Sequence, residues 1–179
     1  MAVSQNYFQL FGLEEQYDLD LKRLADAYRE IQRNTHPDRH AHGSRRDQLL
    51  SMQYTATVND AYETLKSPLK RAMYLLKLSG IDLADDSSTH MDSEFLMQQI
   101  ELREKLEAAQ HAKDPESELE QIAEELEIQL SSYQEQFKMN LFDSSQSSLD
   151  KAAEQVKKMQ FVVKMQHEVE RLEEQLLDY

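Results

Sequence analysis

The chain contains no cysteine and no tryptophan, and only three glycines and three prolines among 179 residues. Without cysteine there is no disulfide, no thiolate nucleophile and no Cys-ligated zinc or iron–sulfur cluster. So little glycine and proline leaves few residues for tight hairpin turns. No apolar run approaches the ~18 residues needed to span a bilayer. The opening MAVSQNYF lacks the basic-then-apolar layout of a secretory signal. A cytoplasmic protein without membrane contact is therefore expected. Positive charge is also scarce: Lys+Arg number 20 against 34 Asp+Glu, a net charge of -14.

What the chain does have is Glu, Gln, Leu, Ala and Lys, all good helix formers. The expectation is an all-α fold. The charge is uneven. Residues 1–79 hold 11 Lys+Arg and 10 Asp+Glu, whereas residues 80–179 hold 9 and 24. Such a change suggests two units with different partners. Nucleic acid is not expected as a partner, because phosphate binding needs clustered Lys and Arg.

In the first half, residues 18–34 place Leu21, Leu24, Ala25, Tyr28 and Ile31 at helical spacing, with Asp18 or Asp20 able to cap the start. Lys22, Arg23, Arg29 and Arg33 lie away from that stripe, as in any solvated helix face. A second helix is expected from Ser44 to Lys66, with Leu50, Tyr54, Val58, Ala61, Tyr62 and Leu65 as its stripe. Ser67-Pro68 supplies a cap followed by proline at the first helical position, and Gly80 a stop for the short helix that follows. The two longer helices should pack antiparallel, with the loop THPDRHAHG protruding from one end.

That loop carries three of the six histidines. His36, His40 and His42 with Asp38 are ligand types for zinc or nickel. They crowd one loop, however, with no helical i,i+4 pair and no second ligand segment, so no metal and no cofactor are expected.

In the second half, residues 80–91 are polar and aperiodic and read as a linker. Helices are expected from Asp92 or Ser93 to just before Asp114-Pro115, from about 116 to 140, and from about Leu149 to Leu177. Short connections make an antiparallel three-helix bundle of residues 92–179. Its first helix is two-faced. At ~100° per residue, Phe95, Leu102, Leu106 and Ala109 share one side, while Met97, Ile100, Glu101, Glu104 and Ala108 lie opposite, with Leu96 between. The second apolar side reads either as a docking patch or as scattered surface residues. In the last helix, Phe161, Val162 and Val163 point three ways, and periodicity does not choose among them.

The segments NYFQLFGL (6–13), YREIQRNTHPD (28–38) and NDAYETLKSPLKRA (59–72) together resemble a J domain, here residues 1–79. The resemblance implies a co-chaperone that stimulates a DnaK- or HscA-class ATPase through His36, Pro37 and Asp38, with Lys22, Arg29 and Arg33 beside them. Thr35 stands where an aromatic is common and Arg39 where lysine is, and Asp26 and Glu30 dilute the basic face, which fits a dedicated partner. With FLMQQIELRE and LEEQLLDY, the resemblance extends over nearly the whole chain to the HscB family of iron–sulfur co-chaperones. It implies that the bundle binds the cluster scaffold IscU through Leu96, Met97, Ile100, Glu101, Glu104 and Phe161, and that HscA is the ATPase partner. Ala108 stands where relatives often have an acid. The lack of an N-terminal cysteine pair is tied by the resemblance to the bacterial form. A non-enzymatic monomer is expected. Its rivals are a general J-protein, which usually adds Gly/Phe-rich or zinc-binding segments, and a structural coiled-coil protein.

Overall fold

In a computed structural model the described residues are 5–35, 45–81, 83, 93–143 and 145–177. They form seven helices and no strand: α1 (Tyr7–Leu10), α2 (Leu21–Thr35), α3 (Arg45–Lys66), α4 (Pro68–Leu78), α5 (Ser93–Gln110), α6 (Pro115–Asp143) and α7 (Gln146–Leu177). The fold is all-α. Two compact units divide between Leu75 and Leu76.

Local chemistry sets the helix ends. Asn6 and Gln9 form a reciprocal capping box on α1. The Asp20 carboxylate accepts from the backbone N–H of Lys22 and Arg23 and fixes the start of α2. Proline opens both α4 and α6, and the Asp114 side chain accepts from the Ser117 N–H at 3.2 Å. Gly80, at φ +84°, ends the helical run, with its own N–H donating to Lys77 and that of Ile81 to Leu76. The last helix starts at Gln146, three residues before the expected Leu149. Ser145 caps it, and the Asp143 carboxylate accepts from the hydroxyls of Ser148 and Ser145. Those hydroxyls hold the Asp143 carboxyl below its usual range.

In the first unit, Phe8, Phe11, Tyr17, Leu24, Val58, Ala61, Leu65 and Ala72 are buried. Tyr7 fastens α1 to α4: its ring stacks on Tyr74 at 4.4 Å and its N–H donates to the Tyr74 hydroxyl. The buried Arg71 donates to the Leu65 carbonyl and lies 5.2 Å from the centre of the Tyr17 ring. Its burial lowers the guanidinium pKa, and the neighbouring Tyr17 and Asp18 oppose that.

The helices α2 and α3 pack antiparallel, with Tyr28 stacked on Tyr62 at 4.0 Å and its hydroxyl donating to Asn59. One part of the expected stripe is corrected. Leu50 and Tyr54 are exposed, not buried. The Tyr28–Tyr62 register explains this: Tyr54 and Leu50 lie eight and twelve residues from Tyr62, whereas α2 ends at Thr35, seven residues past Tyr28, so the antiparallel pairing reaches the end of α2 before it reaches them.

In the second unit, α6 buries Leu119, Ile122, Leu126 and Phe137. The matching row on α7 is Leu149, Ala152, Val156, Met159, Val162, Met165, Val169 and Leu172, recurring by threes and fours. Val162 is therefore the inward residue of the Phe161–Val163 trio. The α5 residues Leu102, Leu106 and Ala109 complete this core.

Candidate functional site

Two surfaces were marked by the sequence. On α2, Lys22, Asp26, Arg29 and Arg33 follow one another by four, three and four residues, so they make one row along the helix. All four are exposed. Asp26 interrupts the positive row, and its carboxylate accepts from the Arg29 guanidinium at 3.0 Å. Arg33 turns its Nε toward the Arg29 carbonyl. The row carries a net charge of +2. His36, Pro37 and Asp38 lie outside the described residues, as do His40 and His42. Among the described residues no group of three His, Cys, Asp or Glu is disposed to hold a metal ion.

The second surface is the outward side of α5. Phe95, Leu102, Leu106 and Ala109 are buried. On the opposite side Met97 and Ile100 remain 58% and 53% exposed, and the flanking Leu96 45%. Glu101, Glu104 and Ala108 are exposed beside them. Leu96, Ile100, Glu104 and Ala108 follow one another at four-residue steps, so one strip runs from two large apolar side chains to a carboxylate and then a methyl. Leaving three large apolar side chains about half exposed forfeits roughly half of the ~1.5–3 kcal/mol that full burial of each would give. The helix has no use for them in its own core.

Phe161 differs from the other marked residues. It is partly buried and packs against the bundle core. Its ring meets that of Phe95 edge-to-face, 5.7 Å apart at 85°. This pair was not legible from spacing, because the two residues lie 66 positions apart. The Lys158 ammonium sits 5.6 Å from the Phe95 ring centre and 5.8 Å from that of Tyr133, a cation–π pairing on both. Burial pushes the Tyr133 phenol pKa up. A crevice of about 50 Å³ opens beside Phe95, Gln98, Glu101 and Phe161.

Between α5 and α6 lies a larger groove of about 400 Å³, lined by Ala108, Ala109 and Ala112 on one side and Glu118, Ile122 and Glu125 on the other. Lys105 of α5 and Glu125 of α6 form a 2.9 Å ion pair across it. The sequence signal for this groove is the alanine set at 108, 109 and 112, which helical spacing alone does not set apart.

No helix among the described residues is long and apolar enough to cross a membrane. Residues 91–170 match the family described as the HSCB C-terminal oligomerisation domain. A co-chaperone protein HscB homolog of Shewanella pealeana is 43% identical over 173 residues, covering 97% of this chain and 99% of that protein. Among solved structures, the chaperone HscB of Vibrio cholerae superposes with a TM-score of 0.85 at 42% identity, covering 96% and 99% of the two chains. The human co-chaperone HscB gives a TM-score of 0.83 at 28% identity, covering 95% of this chain and 83% of that one. The Saccharomyces cerevisiae co-chaperone Jac1, at 22% identity and a TM-score of 0.73, shares the fold. These relatives are co-chaperones, a class that works with a chaperone rather than as an enzyme. By its all-α architecture and these likenesses over nearly the whole chain, the chain belongs to the HscB family of co-chaperones.

Proposed function

We propose that the chain links an IscU-type iron–sulfur scaffold to an HscA-type chaperone ATPase in the cytoplasm. Residues 1–79 serve as the J domain that engages HscA, residues 80–91 connect, and residues 92–179 hold IscU. The observation that carries this reading is the double-sided α5. Its buried side satisfies the bundle, so Leu96, Met97 and Ile100 stay exposed for a partner. Carboxylates at 101 and 104 flank them and select against an acidic partner surface. Holding scaffold and ATPase on one chain raises the effective concentration of each for the other. His36 and Asp38 then act on the ATPase, with the row of Lys22, Arg29 and Arg33 supplying long-range attraction.

The test is a pull-down with apo-IscU and HscA from the same source, followed by steady-state phosphate release from HscA with and without IscU. Capture of both proteins and a faster phosphate release in the ternary mixture support the reading. Failure to retain IscU overturns it. The reading takes one copy of the chain as the binding unit, and light scattering of the free protein tests that against the oligomerisation named in the family description.

A further inference from the structure

We propose that the groove between α5 and α6 receives a lysine or arginine side chain of the scaffold, extending the docking strip beyond Glu104. The inference rests on the reading of α5 as the scaffold-binding helix and names a second contact that this helix makes.

The groove exists because α5 runs out of bulk. Its last turn presents Ala108 and Ala109, Ala112 follows just past its end at Gln110, and alanine side chains end at a methyl. The facing surface of α6 is left uncovered, with the nearly buried Ile122 as its floor. At about 400 Å³ the space falls within the ~300–1,000 Å³ of built ligand sites. An apolar floor of three alanines and an isoleucine suits a hydrocarbon stem.

The rim decides the charge of the occupant. Glu118 and Glu125 stand seven residues apart on α6, two turns along one face, ~10.5 Å of helix rise. They bracket the floor. The one cation facing them from α5 is Lys105, and it engages Glu125. Glu118 is exposed. Two carboxylates against one ammonium leave the groove net negative, within a half-chain that holds 24 acidic and 9 basic residues. An anionic occupant is repelled. A purely apolar one leaves Glu118 without any gain. A long aliphatic stem ending in a cation matches both floor and rim. The Lys105–Glu125 pair is half exposed, so it is a weak surface bridge that an incoming cation can exchange.

Continuity fixes which partner brings that cation. Ala108 belongs to both features: it is one turn from Glu104 on the outward strip, and it lines the groove. A protein seated on Leu96, Met97 and Ile100 reaches the groove without leaving the helix.

The test is calorimetric titration of the full chain with IscU at two salt concentrations. Glu118→Lys is expected to weaken binding about tenfold, and Glu118→Gln about two- to fivefold, the scale of a partly exposed ion pair. Ala112→Leu, which fills the groove, is expected to weaken it comparably. Glu127→Gln, on the far side of α6, removes the same charge and is expected to change nothing. Thermal melts of each variant verify folding. Wild-type affinity for both Glu118→Lys and Ala112→Leu, while Met97→Ala still weakens IscU binding, overturns the groove and leaves the α5 reading standing. An equal loss for Glu127→Gln and Glu118→Gln also overturns it, since a general field then replaces a specific contact. No binding of IscU by the wild type overturns both.

Discussion

Phe161 of α7 and Phe95 of α5 meet edge-to-face at 5.7 Å, so the aromatic residue that the family resemblance ties to partner binding is also part of what holds α5 on the bundle. The two roles separate by mutation. Phe161→Ala removes a partly buried ring and is expected to cost on the order of 2–3 kcal/mol, below the ~3–5 of a fully buried phenylalanine. That lowers the melting temperature by several degrees for a chain of this size, at ~2–4 °C per kcal/mol. Met97→Ala, 58% exposed, should leave the melt within a degree while weakening IscU binding about tenfold. Paired melts and titrations check this. A melting-temperature collapse for Met97→Ala would assign that residue to the core.

His36→Gln and Asp38→Asn are expected to abolish stimulation of the HscA ATPase without affecting IscU affinity. The reason is remoteness in sequence: the tripeptide lies 58 residues before Leu96, in a different unit of the chain. A phosphate-release assay at saturating IscU reads the effect. Undiminished stimulation by either variant assigns the trigger elsewhere.

The basic row on α2 predicts opposite effects of neighbouring substitutions. Arg29→Glu with Arg33→Glu should weaken HscA binding strongly. Asp26→Asn should strengthen it, about two- to fivefold, because it frees the Arg29 guanidinium from its 3.0 Å ionic partner and removes the one negative charge from the row. Wild-type affinity should fall as salt is added, since exposed charges are screened over ~8 Å at physiological ionic strength. Titrations of HscA with the three proteins distinguish this row from an inert helix surface, for which all give one affinity.

The Tyr7 hydroxyl donates to Asp60 at 2.6 Å, and that hydrogen bond to a carboxylate, with burial second, pushes its phenol up to about 12. An unfolded tyrosine ionises near ~10. The raised value means that the folded chain keeps this proton when the unfolded chain has lost it. The stabilisation is therefore complete below pH ~10 and disappears as pH climbs toward about 12. Tyr7→Phe should flatten the alkaline fall of the melting temperature. Asp60→Asn should bring the raised Tyr7 phenol back toward the ordinary tyrosine range in a tyrosinate absorbance titration. An unchanged titration curve in both variants would disprove the coupling.

Helix positions were largely legible because caps and stops act within three or four residues: Asp20, Ser67-Pro68 and Gly80 are all read in place. The inward side of α5 was legible for the same reason, since Phe95, Leu102, Leu106 and Ala109 repeat at the helical period. What the sequence hid depends on pairing between helices. Leu50 and Tyr54 continue a good stripe, yet in the Tyr28–Tyr62 register α2 ends before it reaches them. Val162 was indistinguishable from Phe161 and Val163 until α6 showed which side of α7 it covers. The Phe95–Phe161 pair and the alanine-floored groove arise from residues on separate helices, whose juxtaposition no periodicity encodes.

The stacking of Tyr7 on Tyr74 ties together residues 67 positions apart. The first unit thus closes only when nearly its whole length has been made, because its opening helix docks on its last. During synthesis Phe8 has no finished pocket until the segment around Ala72 has left the ribosome, a wait of several seconds at ~5–20 residues per second. The α6–α7 hairpin has no such wait, since its pairings grow outward from the turn at Ser145 through steadily increasing loop lengths. The half made second is thus the half with the shorter route to its native contacts, and refolding of the whole chain should show the α6–α7 amides protected from exchange before those of α1.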